Sequence, residues 1–381
     1  MTFPPTTFDP PKGYRSWEEF HTNPWKPLPP AVPKRPVPQW PPPEQRKGKW
    51  VSKYLDTLDP ETEYDQIIRT ATFFGPPLFV GAVGYATTFC ILTQPANSAA
   101  AIHFGARVVR RGHQRFYETY LHELEWVYHG SSSPETAKDI DKVNRMHANI
   151  WKHLPGTYSD PYEANMSVIS MGFLEQYLRK LVGARNEMHP KVRAAWPEWG
   201  QRVCDHFHTE PSDGMRSMGL GFPRTFEELG TFWYRFDAIP WEGMSTPELI
   251  QKGRETAEAF INQFCDLWFP YGFHWLGRQL ILVTTPPNCR RRQNMGEPNW
   301  IVSPVIKFVI KVFFDLSDSV LPDAKEPVGL HLRERLSEMN LNKMDRQVKM
   351  YRSRQRKAFM VVGLLIGWLL CMYFLRILYE F

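Results

Sequence analysis

Two stretches of this 381-residue chain combine residue types and spacings that can do chemistry. In "RRGHQRFYETYLHELEW", Arg115, Glu118, Thr119 and His122 fall at i, i+3, i+4 and i+7, so a helix presents all four on one face. A guanidinium, a carboxylate, a hydroxyl and an imidazole side by side can orient a polar ligand or move a proton. The same face, if solvated, would be held by pairs such as Arg115 with Glu118 or Thr119. In "NRMHANIW", residues 144–151, His147 lies four after Val143 and four before Trp151. It shares a stripe with Ala137, Ile140, Val143, Ile150, Trp151 and Leu154, whose spacing defines one apolar helix face. An imidazole there is either a buried structural histidine or a ligand kept dry.

Several chemistries drop out on spacing alone. "HELEW" begins like the H-E-x-x-H zinc helix, but Trp126 stands where the second histidine belongs. A di-iron bundle needs two E-x-x-H pairs, and the one such spacing, Glu18 to His21, lies among prolines. There is no G-x-S-x-G elbow, no phosphate-binding glycine loop and no G-x-G-x-x-G after a strand. The five cysteines are scattered, odd in number and without C-x-x-C spacing, which argues against a disulfide framework or zinc site and suits a reducing compartment. The formal charge of +6 is spread over short clusters, none long enough for a nucleic-acid groove.

The elements that must position these residues are helices, and the fold class expected is all-α. Residues 1–50 form a proline-rich arm, extended or wrapped on the domain surface, in which Pro30 to Arg35 ("PAVPKR") matches an SH3-ligand pattern. Residues 51–325 read as a helical domain. "SSPETAKDIDKVNRMHANIWKHLPG" starts at Ser132, Ser133 and Pro134 and stops at Pro155. A second helix ends at Gly130, and a third is capped by Thr246. No alternating strands and no fixed-period repeat occur. The uncharged stretch between Arg69 and Arg107 is too diluted by Gly, Thr, Gln and Pro to be a span and reads as a core helix.

Residues 326–357 read as a basic juxtamembrane linker or helix, and 358–379 as a transmembrane tail anchor. Phe359 to Leu375 is 17 uncharged residues, about 26 Å of helix. Four positive charges in "RSRQRK" precede it and mark that side as cytosolic. The N-terminus shows no basic-then-apolar secretory pattern. The expected protein is single-pass and cytosol-facing, in the endoplasmic reticulum in preference to the mitochondrial outer membrane.

The apolar glycine-rich stretch ending in Gln94-Pro95, then "RFYET" (Arg115 to Thr119), then "MHANIW" with His147, resembles the rubber-oxygenase catalytic domain family. That family includes the latex-clearing protein and MpaB types. "GLGFPRTFEELGTFWYRF" resembles the family's G-x-P…E segment before an aromatic run, and "ILVTTPPNCRRR" its L-P-P-x-x-R, so the resemblance covers roughly residues 65 to 300. It implies a globin-like helical fold around haem b, with His147 as the iron ligand and Trp151 beside the porphyrin. Arg115 and Thr119 would then line the distal side. Rubber-cleaving members carry lysine before the threonine, whereas this chain has Glu118, a carboxylate able to act as base; at this position it is more similar to MpaB-type members. The expected activity is a membrane-anchored, haem-dependent oxygenase acting with O2 on a hydrophobic prenyl- or lipid-like substrate. The alternatives are a non-catalytic haem sensor or carrier, or an adaptor using the proline-rich arm.

Overall fold

A computed structural model describes residues 39–157, 161–208, 219 and 221–357. The Pro30–Arg35 motif and the 358–379 anchor lie outside them. The chain is all-helical, 74% helix without strands among the described residues. In chain order the principal helices are α1 (Trp50–Asp56), α2 (Tyr64–Phe73), α3 (Leu78–Leu92), α4 (Ala96–His103), α5 (Gly112–His129), α6 (Pro134–His153) and α7 (Pro161–Val182). There follow α8 (Pro190–Asp205), α9 (Phe226–Ala238), α10 (Pro247–Trp268), α11 (His274–Thr284), α12 (Pro287–Arg292), α13 (Val302–Ser319), α14 (Val328–Glu338) and α15 (344–357).

Local chemistry sets the boundaries. Ser133 and Thr246 cap α6 and α10, their hydroxyls accepting from the backbone N–H of Thr136 and Leu249, with proline at the first helical position in both. Gly130 closes α5 at φ 95°, a conformation that side chains rarely adopt. The chain then turns through only 130–133, so α5 and α6 form an antiparallel hairpin.

The uncharged stretch after Arg69 forms α3, a core helix. It packs against α7, α10 and α11, with Ala86, Cys90 and Ile91 fully buried. Gly81 on α3 leaves room for Tyr120 of α5, whose hydroxyl oxygen would lie 2.8 Å from any added Cβ. Among the described residues no single helix is long and apolar enough to cross a membrane. The pair α2 and α3 has the composition, but the two bend by 110° at their junction. A ring-rich core of Trp199, Trp233, Phe116, Phe236, Phe260 and Phe264 ties α5, α8, α9 and α10 together.

Both flanks of the domain are fastened to it. Trp40 packs edge-on against Phe74 and its Nε1–H donates to Thr70 (2.9 Å). The Arg46 guanidinium lies over Trp50 and Phe74 and donates to the Lys325 carbonyl. The segment read as a linker or helix, 326–357, is largely helical and is no free spacer. Helix α14 packs on α5 and α2, and Arg333 pairs with Glu125. On α15, Asp345 accepts from the backbone N–H of His113 and Gln114, capping α5 from a distant part of the chain.

Candidate functional site

The α5–α6 hairpin brings the two sequence patches to one level. His122 Nδ1 lies 2.7 Å from Asp139 Oδ2, a rung that fixes the register. Two turns above it on each helix, seven residues back on α5 and eight forward on α6, stand Arg115 and His147. Both line a cavity of about 1080 Å³, with Thr119, His122 and Glu123 of α5. Its opposite wall comes from α3 and α4, including Tyr85, Phe89, Leu92 and Ile102. Around Arg115, Thr119 and His147 the lining is mainly aliphatic and aromatic, while charged groups such as Lys49, Arg179, Asp318 and Asp323 line it elsewhere.

Each polar group is held. Arg115 Nη1 donates to the Tyr85 hydroxyl (2.5 Å), and its guanidinium plane sits 4.2 Å over Phe89 and 5.1 Å over Phe260. Thr119 is a second hydrogen-bond partner of Tyr85, whose phenol is raised above its ordinary range by burial, with Arg115 pulling it back. His147 stacks on Phe207 (6.3 Å between ring centroids, 23° between planes). Burial and then the charge of Arg115 lower its pKa to about 4, so the imidazole is neutral at physiological pH.

His147 is only half-buried by surface, as is Val143, because this part of the apolar face of α6 borders a cavity. Glu123 shows the same combination: partly accessible, yet surrounded by protein, since what it exposes faces the cavity. Desolvation raises its pKa to about 8, which keeps the carboxyl protonated at neutral pH. Asp139 goes the other way. Burial pushes it up, but hydrogen bonds and charges from His122 and Lys142 outweigh that and bring it to about 2. An ionised carboxylate only accepts, so Nδ1 of His122 carries a proton toward Asp139.

Two expected site residues stand elsewhere. Glu118 does not line the cavity; its carboxylate pairs with Arg107 Nη2 (2.7 Å) and accepts from Gln114 Nε2 (2.6 Å). The reason is helical phase. From Arg115, Thr119 and Glu123 turn about 40° and 80° one way and Glu118 about 60° the other. The cavity lies on the Thr119–Glu123 flank. Trp151 also misses the cavity, because one turn beyond His147 carries it past the cavity wall. Glu123, Tyr85 and Asp139 are the polar groups not singled out from sequence. The available signal for Glu123 was its position four residues after Thr119.

The other resemblance segments meet away from the cavity. Arg292 Nη1 donates to Gln94 Oε1 (2.9 Å) and to the Asp237 carbonyl (2.5 Å), while Arg290 donates to the carbonyls of Leu282 and Thr285. Through Arg292 these contacts tie α12 to α9 and to the segment just after α3, and through Arg290 to the end of α11.

Among the described residues no three His, Cys, Asp or Glu side chains converge on one point as a bare metal ion requires. A porphyrin iron asks less of the protein, one axial donor and an apolar slot. The neutral imidazole of His147 on an apolar cavity wall fits that need. No family model matches the chain, and no curated protein matches it.

Proposed function

We propose that the protein is a membrane-anchored, haem-dependent oxygenase of the rubber-oxygenase catalytic domain type, acting on a hydrophobic prenyl- or lipid-like substrate. One observation carries the reading. Arg115, Thr119 and His147, separated along the chain, line a single apolar cavity in which His147 is neutral. In this reading His147 holds haem b, which supplies the O2-activating chemistry. The cavity walls exclude water and hold an apolar substrate by burial.

The chain's own polar groups divide the remaining work. Arg115, fixed by Tyr85 and the faces of Phe89 and Phe260, orients a polar or anionic group of the bound molecules. The Thr119 hydroxyl is a positioned donor. Glu123 holds a proton at its carboxyl and takes the acid–base part first assigned to Glu118. The anchor is the 17-residue uncharged stretch Phe359–Leu375, with the globular part on the cytosolic side of the endoplasmic reticulum membrane.

The test is the visible spectrum of the full chain expressed with haem supplied, followed by product analysis in O2 with a prenylated lipid. A Soret band lost or strongly altered by His147→Ala, at unchanged helicity, is the expected outcome. An unchanged band removes His147 from the iron. A band without turnover would favour a haem-binding sensor or carrier.

A further inference from the structure

Helix α13 carries an apolar face outward. Ile301, Val305, Phe308, Val309, Leu316 and Val320 recur at the spacing of one helix face, each between 40% and 68% exposed. Over the 18 residues of α13 this stripe runs about 27 Å. The opposite face already serves the core through the buried Ile306 and Phe314. Trp300, 81% exposed, stands at the N-terminal end of the stripe. There the Asn299 backbone N–H donates to Gln279 Oε1 (2.6 Å), one turn along α11 from Trp275, itself 54% exposed. Scattered exposed side chains need no explanation, but a continuous stripe ending in two tryptophans marks an interaction surface.

Three observations select the occupant. The first is where the described chain ends. Arg352 of α15 pairs with Asp266, and the Arg356 guanidinium sits 5.3 Å over Tyr271, four residues before Trp275. The uncharged residues Phe359–Leu375 therefore follow directly from a point beside this aromatic end. The second is charge. Arg354, Arg356 and Lys357 are exposed at the same place, complementary to anionic head groups. The third is continuity with the cavity. Phe313, Ser317, Leu321 and Pro322, on and just after α13, line it, and Leu321 is also 47% exposed.

We propose that the outer face of α13, with Trp275 and Trp300, is a lipid-docking surface seated in the interfacial layer of an anionic bilayer. It lies in the membrane plane as an amphipathic helix does, and its C-terminal end opens the cavity to molecules dissolved in the bilayer. The surface goes beyond the oxygenase reading and borrows from it only the apolar character of the ligand.

The test uses the full chain carrying Cys371→Ser; Cys90, Cys204, Cys265 and Cys289 are buried. Nitroxide labels are placed singly through Val305→Cys, Phe308→Cys and, on an exposed site of α6, Glu135→Cys, in phosphatidylcholine–phosphatidylserine vesicles. The expected result is a reversal. Collisions with O2 rise and collisions with a water-soluble nickel chelate fall at 305 and 308 relative to 135. Equal nickel accessibility at all three positions overturns the proposal. So does protection of 305 and 308 from both reagents, which would mean that protein, either this chain's own C-terminal segment or a second copy, covers the stripe. None of these outcomes alters the His147 spectrum, so failure here and failure of the haem reading are distinguishable.

Discussion

A single carboxyl, Glu123, gives the cavity its clearest pH signature. Folded, it keeps its proton up to about pH 8, because desolvation disfavours the charge; unfolded, it ionises near its ordinary value of about 4.3. The stability associated with this raised pKa is complete below the unfolded value and is lost as pH rises toward 8. Glu123→Gln should therefore match the parent near pH 4. Its advantage in melting temperature should grow from about pH 4.5 to 8 and then level off, as thermal melts across that range would read. A constant difference would mean that the carboxyl is solvated. Arg115→Lys keeps the charge but gives up the planar stack on Phe89 and Phe260, and should cost about 1–2 kcal/mol in denaturant unfolding. Thr119→Val is nearly isosteric and removes one hydroxyl. Under the oxygenase reading, turnover should fall about a hundred- to a thousandfold at equal haem content. Helical spacing made Arg115 and Thr119 legible as one face and His147 as the imidazole on the apolar stripe of another helix; that the two faces meet at one cavity was not legible. Nor was Glu123, because spacing yields a face but not which flank of that face meets a cavity, and Glu118 stands on the flank that pairs with Arg107 instead.

At the scale of elements, the hairpin of α5 and α6 does the positioning, and most of it follows from local signals. Gly130 stops one helix, Ser133 and Pro134 start the next, and so short a connection leaves only an antiparallel neighbour. Reading the register would have required knowing that His122 meets Asp139, a contact across the turn that periodicity does not encode. The cap on α5 was still less visible. Its first turn offers no Ser, Thr, Asp or Asn at the N-cap, where Arg111 stands, and the carboxylate that serves comes from Asp345, over 230 residues on. Asp345→Ala should expose two backbone donors and cost about 0.5–2 kcal/mol, while Asp345→Asn recovers part of it. Hydrogen exchange at the first turn of α5 is the local readout. Protection there that survives Asp345→Ala would show that some other group of the protein, not α15, holds the helix end.

For the whole molecule, the decisive question is how many ways the chain holds a membrane. Under the proposed reading there are two, an integral anchor at 359–375 and a peripheral face on α13. The bent pair α2–α3 is not a third, since α3 is built into the core between α7, α10 and α11. The all-α class was legible from helical periodicity alone. The outward face of α13 was not, because the spacing that marks a buried stripe also marks one turned toward lipid. Deleting residues 359–381 while keeping α15 should preserve the melting temperature, because the contacts that fasten α15, through Asp345, Arg352 and Arg356, all precede the cut. The shortened chain should change its mode of association. It should bind anionic vesicles weakly, come off in carbonate or high salt, and lose that residual binding on Phe308→Glu, which places a charge in the middle of the exposed stripe. Flotation with and without carbonate separates the cases. Carbonate-resistant retention of the shortened chain would make α2 and α3 membrane-inserted after all. Complete release that is indifferent to Phe308→Glu would leave the anchor as the sole attachment.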